Sequence, residues 1–511
     1  MDRQILYEAM SKLGYPNKFI QSIKTLMENS IAKIIVNGKI GKEIKMERGI
    51  KQGCPLASFL YIIYIESLQL ELQKNLITSR IGQEKIQTGG FIDGINIFVA
   101  DEEDLEKIEK ILENFETKTN SKINKNKTKI MGLGKWEGRK EWPLKWIKND
   151  SKIKTLGIEF RPSEKETIKN LEKETIKKVE NIIKNNNHRI LTIQQRVEFV
   201  NTNIIPIIIH GAAIYPFKKL TTNKINCLNH NFVWNNKLET ISKEETQLLT
   251  KEGGLGMVEA RAKAISVLIK TMSKQACRPA GNQQLDYLLG IKMKIFKKTT
   301  TGPKKETIPT IFKTATDQAI EMQRRHPDIN WKETTSKQLY EIWRSITPLT
   351  PKIVMKNPQI NYRQTFVNLN EKYHLPESKE HIFQLVHDIL PTKVRLKRIY
   401  PAQINNICEQ CKLTPEDTKH IYGCKTSKPA VVWLMRRIGK MTGDPSLDQL
   451  SVDDILNLNF SLKDKKENNN VVNLIAVFSL MLWNARKKKN PNQIPFQAIE
   501  ATKSLTKYLK N

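Results

Sequence analysis

A chain of 511 residues is too long for one ordinary hydrophobic core, so two to four domains are expected at roughly 100 to 200 residues each. Lysine and arginine outnumber aspartate and glutamate by 85 to 53, a net charge of +32 spread over the whole length, which points to a polyanion met along an extended surface: nucleic acid first, an anionic lipid face second. The longest apolar runs, 204–215 and 474–483, are shorter than the roughly 20 residues of a membrane span.

The charged start Asp2-Arg3-Gln4 does not read as a signal peptide. Six cysteines, three of them in one 17-residue window, favour a metal site in a reduced, intracellular setting over disulfides. Residues 4–30 read as two short helices broken at Gly14-Tyr15-Pro16, and 31–45 as a hairpin about Asn37-Gly38, a strong turn pair. Pro55 suits a first helical position, and Leu56, Phe59, Leu60, Ile63 and Leu68 carry a helix to about Gln73. Residues 89–100 alternate as strand, turn, strand; 101–115 make an acidic amphipathic helix and 152–160 a further strand. This mixture predicts an α+β layer over 1–160.

From about 163 the strands disappear. Ile168, Leu171, Ile176, Val179 and Ile183 fall near helical spacing, and 193–209 continue as an apolar helix. A helical domain is expected over 161–290, a basic linker over 291–335 and a second helical domain over 336–511.

Three motifs carry chemistry. In Arg48-Gly49-Ile50-Lys51-Gln52-Gly53-Cys54-Pro55-Leu56-Ala57-Ser58, the glycines let backbone approach a ligand closely. Arg48 and Lys51 suit phosphate, Gln52 offers an amide, and a helix N-terminus follows. A plain strand-to-helix connection would carry the same glycines. Phe91-Ile92-Asp93-Gly94 puts a carboxylate at a hairpin tip, although Asp-Gly is also a common turn pair on its own. Cys408-x2-Cys411-x8-His420-x3-Cys424 offers three thiolates and an imidazole, the soft tetrahedral set that suits a closed, structural Zn²⁺ site; chance proximity in sequence is the alternative. Lys393, Arg395, Lys397 and Arg398 form a basic stretch before it that suits RNA. Residues 483–489 end in a lysine-rich cap that reads either as a helix terminus or as a nuclear localisation patch.

The loop and the hairpin together resemble the core of the reverse transcriptases of non-LTR (LINE-like) retrotransposons, whose loop is typically RG-x-x-QG-x-PLSP and whose hairpin is Tyr/Phe-x-Asp-Asp. Residues 3–14 are similar to the helix after the family's Ala-Phe-Asp motif, and 121–129 to its lysine-rich segment. There Lys125, Lys127 and Lys129 alternate as on one face of a strand. Thr155-Leu156-Gly157-Ile158 resembles the primer-side Leu-Gly strand. Phe232-Val233-Trp234 and Glu252-Gly253-Gly254-Leu255-Gly256-Met257 resemble the thumb, in which Gln195, Arg196, Asn201 and Thr202 would approach nucleic acid. Residues 387–396 resemble the helix before the family's zinc-binding region.

The resemblance covers roughly residues 3–490. It implies partial right-hand fingers and palm, then a helical thumb, then a helical C-terminal domain with a zinc knuckle. The implied activity is RNA-directed DNA synthesis on an RNA template from a DNA primer, in the nucleus, with Mg²⁺ at Asp93 and structural Zn²⁺ at the knuckle. Arg48, Lys51, Gln52, Gly53, Lys125, Lys127, Lys129, Gly157 and Arg196 would hold nucleic acid or nucleotide. Two departures stand out. Gly94 replaces the second hairpin aspartate, and the early palm aspartate would fall about three residues before Asp2, which implies an N-terminally truncated palm unless a shifted register lets Asp2 stand in. A second function follows from these departures: a catalytically dead retrotransposon remnant that binds RNA or DNA. The oligomeric state is left open.

Overall fold

The computed structural model describes residues 1–51, 53–76, 79–81, 84–86, 88–91, 94–235, 241–276, 310–345, 349–442 and 451–487. Gln52, Asp93, the linker portion 291–309 and the end of the lysine-rich cap lie outside the described residues. The chain forms two compact units, one built on residues 1–171 and one on 172–274 with 310–487.

The first unit begins with α1 (Arg3–Lys12) and α2 (Asn17–Met27), separated where Gly14 takes a φ of +84°. β1 (Ile31–Val36) and β2 (Lys39–Lys45) follow as an antiparallel hairpin. Its turn residues Asn37 and Gly38 both have positive φ, the backbone that matches the right-handed twist of a two-residue hairpin. α3 (Ala57–Asn75) starts two residues later than Pro55 suggested, with Pro55 in the turn before it. β3 (Ser79–Ile81) pairs with β4 (Glu84–Ile86), and β5 (Thr88–Phe91) with β6 (Gly94–Ile97). After α4 (Glu103–Thr119) come β7 (Lys129–Ile130), parallel to β8 (Lys148–Asn149), and the hairpin β9 (Ile153–Thr155) with β10 (Ile158–Phe160).

The helices make this unit's core. Leu60, Tyr64, Leu68 and Leu72 recur every four residues on α3, one stripe of a helix, and pack with Leu6 and Met10 of α1, Ile23 of α2, and Ile108, Ile111 and Phe115 of α4. Ile95, Ile97 and Val99 close over this core from the β6 side. Among the described residues the strands form five two-stranded sheets and no wider one. Strands of two to seven residues leave the helices to provide most of the buried surface.

The second unit is helical. α5 (Glu164–Asn186) leads into it, followed by α6 (Ile193–Phe199), a π-helical turn at Val200–Ile204, and α7 (Ile205–Ala212). The single apolar helix expected over 193–209 is thus widened in the middle. Pro206 has no N–H for the carbonyl four residues back and its ring crowds that carbonyl, which a π turn relieves. α8 (Lys219–Trp234), α9 (Lys243–Gln247) and α10 (Ala260–Ala276) follow. α11 (Thr310–Arg325) replaces much of the expected linker, with Ala315, Ala319 and Met322 buried at helical spacing. α12 (Ser336–Ser345), α13 (Lys352–Lys356), α14 (Tyr362–Leu369), α15 (Pro376–Val386), α16 (Lys393–Ile399), α17 (Thr418–Gly423), α18 (Lys428–Thr442), α19 (Val452–Asn457) and α20 (Lys465–Lys487) complete it.

The expected division between a thumb-like domain and a C-terminal domain is absent from this packing. Ile208, Phe232 and Trp234 share one continuous hydrophobic core with Phe366, Phe383, Ile421, Leu434 and Phe478. No helix among the described residues is long and apolar enough to cross a membrane.

Candidate polymerase core and metal centre

The glycine loop lies between β2 and α3. Gly49 and Gly53 adopt φ of +80° and +82°, which a side chain would strain, and a Cβ on either would meet open space. Conformation, then, and not crowding, requires glycine here. The loop is fastened to α1: Gly49 N–H donates to the Met1 carbonyl (2.9 Å), Arg3 Nε donates to the Gly49 carbonyl (3.3 Å) and Arg3 Nη1 to the Met27 carbonyl (2.7 Å). Arg48 and Lys51 are exposed. With the Asn120 amide oriented oxygen-first, Arg48 Nη1 and Nη2 donate to it at 3.0 and 3.3 Å, joining the loop to the end of α4.

Asp2 is engaged elsewhere. Its carboxylate accepts from the N–H groups of Gln4 (2.9 Å) and Ile5 (3.4 Å) and caps α1. β5 and β6 pair in register Phe91↔Gly94, so Asp93 falls within the connection between them, outside the described residues. Thr155 Oγ1 donates to Asn96 Oδ1 (3.2 Å), which sets the β9–β10 hairpin beside the β5–β6 hairpin. At its tip Leu156 and Gly157 have φ of +50° and +83°, another pair of left-handed residues, with Leu156 exposed. The segment read as one strand over 152–160 is therefore two short strands and a turn.

The three lysines do not share a strand. Lys125 and Lys127 lie in a turn in which the Asn124 carbonyl accepts from Lys127 and Thr128 N–H (3.0 and 3.1 Å); only Lys129 enters β7. Lys125 Nζ stands 5.2 Å from the Trp146 ring centre, and Lys129 pairs with Asp150 at 2.7 Å. That bond holds the Asp150 carboxyl below the usual carboxylate range.

In the second unit, Arg196 corrects an expectation. Its guanidinium is buried, donates Nη1 to the Phe232 carbonyl (3.0 Å) and Nη2 to the Arg189 carbonyl (3.0 Å), and lies over the Phe232 ring. Those donors are turned inward, so Arg196 is a clasp between α6, α8 and the chain after α5, not a nucleic-acid contact. Asn201 likewise works internally, donating Nδ2 to the Gly256 carbonyl (3.0 Å) and accepting from Val258 N–H (2.9 Å). Gln195 completes a capping box with Thr192 at the start of α6.

The knuckle does assemble. One ligating atom from each of Cys408, Cys411, His420 and Cys424 falls within 4.8 Å of all the others, so the four could hold one metal ion. Local structure explains the gathering. Lys412, with φ of +58°, lets the chain turn back so that Cys408 N–H donates to the Thr414 carbonyl (2.9 Å), and α17 then sets His420 and Cys424 one helical turn apart. Cys408 and Cys424 are buried, whereas Cys411 and His420 reach the surface. Burial raises the Cys411 thiol, but N–H groups of Leu413 and Thr414 outweigh it and bring the group to about 6, which favours thiolate. Thr414 Oγ1 lies 3.0 Å from His420 Nδ1, and Cys411 Sγ 3.4 Å from Nε2. Spacing gave no sign of Thr414, Glu416 or Arg486, the last of which comes 62 residues after Cys424.

The glycine-punctuated loop before α3, the β5–β6 hairpin and the Leu-Gly hairpin held against it by the Thr155–Asn96 bond all belong to the first unit. Residues 2–160 match the family described as reverse transcriptase (RNA-dependent DNA polymerase). A 131-residue stretch is 24% identical to the "Transposon TX1 uncharacterized 149 kDa protein" of Xenopus laevis, a match that covers 25% of this chain and 10% of that protein. Residues 2–160 are thus similar to reverse transcriptases, and a quarter of the chain is similar to a small part of a transposon protein.

Proposed function

We propose that the chain acts on nucleic acid as an RNA-directed DNA polymerase, with an RNA template, a DNA primer and the nucleus as its site of action. The observation that carries this reading is the family match over residues 2–160, supported by the Thr155–Asn96 bond that holds the primer-side hairpin against the acidic one. Arg48, Lys51 and Gly53 frame the loop at which substrate would sit, joined by Gln52. Lys125, Lys127 and Gly157 are the remaining contacts in this reading, and Lys129 joins them on release from Asp150.

Mg²⁺ is the family's cofactor, and the described residues fit it poorly. Phosphoryl transfer by two ions needs several carboxylates at one place, whereas Gly94 offers none and Asp2 caps a helix. These two residues favour a second reading, in which the domain binds RNA or DNA without polymerising. Primer extension on homopolymer RNA separates the two. Mg²⁺-dependent synthesis that Asp93→Ala abolishes establishes the polymerase; RNA binding without synthesis under any divalent ion establishes the second reading.

Cys408, Cys411, His420 and Cys424 suit a structural Zn²⁺, because four protein ligands close the coordination sphere and leave no position for substrate. The knuckle would then hold segment 407–428 in shape beside the basic residues of α16.

A further inference from the structure

One side chain from the far end of the second unit reaches into the knuckle. Arg486, in the last turn of α20, is 7% exposed. Its Nη2 donates to Cys408 Sγ at 3.1 Å and to Glu416 Oε2 at 3.1 Å, and its Nη1 donates to Ser427 Oγ at 3.1 Å. Gln410 Nε2 returns a bond to the Arg486 carbonyl at 3.2 Å. The partners come from both halves of the knuckle. Gln410 lies between Cys408 and Cys411, Glu416 five residues after Cys411, and Ser427 follows Cys424 in the turn where its own N–H donates to the Cys424 carbonyl (2.9 Å).

The charges give this arrangement a purpose. Zn²⁺ with three thiolates and a neutral imidazole carries a net charge of −1, and Cys408 and Cys424, half of its ligands, are fully buried. Glu416 adds a second negative charge next to the same place. Two uncompensated anions in a region of low dielectric repel each other and lack solvation. A guanidinium is always charged and offers several N–H groups in a fixed fork, so it can address a thiolate, a carboxylate and a hydroxyl together.

We propose that Arg486 sets the metal affinity of the knuckle by balancing the charge of the metal–thiolate centre. The proposal rests on the reading of the knuckle as a zinc site. Groups that hydrogen-bond to metal ligands without touching the metal commonly alter affinity 10- to 100-fold. Arg486 is a positioning residue of this kind, and it lies on a different element from any ligand.

The test uses the full chain and the metals alone. Zn²⁺ affinity is measured by competition with a chromophoric chelator, and Co²⁺ substitution reports the thiolate-to-metal absorption band. Arg486→Met, which keeps the length and loses the charge, is expected to weaken Zn²⁺ binding about 10- to 100-fold and to shift the Co²⁺ band, because a hydrogen bond to a ligating sulfur is gone. Arg486→Lys should recover part of the affinity through its charge. Gln410→Ala removes the bond to the Arg486 carbonyl while leaving the charge, and should leave affinity within twofold. Zinc affinity unchanged in Arg486→Met overturns the proposal alone if the wild-type chain binds one equivalent. A Gln410→Ala loss as large as that of Arg486→Met also overturns it, by assigning the effect to the helix end and not to charge. A wild-type chain that binds no zinc overturns both this proposal and the zinc reading.

Discussion

Gly253 and Phe366 are fitted to each other so closely that a Cβ on Gly253 would stand 2.3 Å from Cζ of the Phe366 ring. Gly253 also has a φ of +86°, and a Cβ on the neighbouring Gly254 would stand 2.1 Å from the Leu248 carbonyl oxygen. The Glu252-Gly253-Gly254-Leu255-Gly256-Met257 run is therefore a packing joint. It lets the segment after α9 lie against α14, and Glu252 adds an ion pair with Arg344 of α12 at 3.2 Å.

Gly253→Ala should therefore destabilise the second unit by about 2–5 kcal/mol, from left-handed strain of about 1–2 kcal/mol together with overpacking of about 1–3 kcal/mol. Urea unfolding of the full chain measures it. Adding Phe366→Leu should return part of the loss, the part due to the clash, and leave the part due to φ.

Arg196→Met should cost about 2–3 kcal/mol of stability, because carbonyls of Phe232 and Arg189 lose a charged donor in a buried place. RNA affinity of the folded variant should match that of the wild type. A fall in affinity with a shallower salt dependence would instead return Arg196 to the nucleic-acid surface.

Stability should depend on pH through His387. Burial chiefly pushes its imidazole down to about 4, against the opposing pull of Glu245 and the Gly253 backbone. The ring lies among apolar neighbours, 4.3 Å centre to centre from Phe383. Between about 6.5 and 4 the unfolded chain binds the proton that the folded chain refuses, so stability falls as pH falls through that window, by up to about 3 kcal/mol. Above 6.5 the contribution is flat. Urea midpoints at pH 7 and pH 5 should differ in the wild type, and His387→Gln should narrow the difference.

Removal of metal by a strong zinc chelator at neutral pH should reduce helicity and open residues 407–428 to protease, with recovery on adding Zn²⁺ but not Mg²⁺. Helical content and cleavage pattern unaltered by the chelator would show that the thiols hold their places without an ion.

Binding of single-stranded RNA should weaken steeply with salt, since a chain of charge +32 releases counterions with a slope of about 0.7 per phosphate contacted. Filter binding between low and high salt measures the slope. A flat profile would assign the affinity to base stacking or shape in place of charge.

Much of the first unit was legible because its signals are local. Asn37-Gly38 and Gly14 dictate backbone turns whatever surrounds them, and the four-residue recurrence of Leu60, Tyr64, Leu68 and Leu72 specifies a buried helical stripe by itself. The lysine series misled for a related reason: Lys125, Lys127 and Lys129 alternate in sequence, but Asn124 closes a turn that alternation cannot reveal. Pro206 was visible, whereas the π turn at Val200–Ile204 before it leaves no signal in residue spacing.

The sequence by itself determined the likeness of residues 2–160 to reverse transcriptases, the helix-breaking and turn positions, and the four candidate metal ligands, because each is a matter of residue type at short spacing. Tertiary structure alone decided which cations face inward. An arginine donates equally well to a phosphate or to a carbonyl, so only the position of Phe232 makes Arg196 a clasp and only the end of α20 brings Arg486 to Cys408. The joining of 172–274 with 310–487 into one core was decided in the same way, since contacts such as Gly253 with Phe366 link residues 113 apart and leave no periodic trace in the chain.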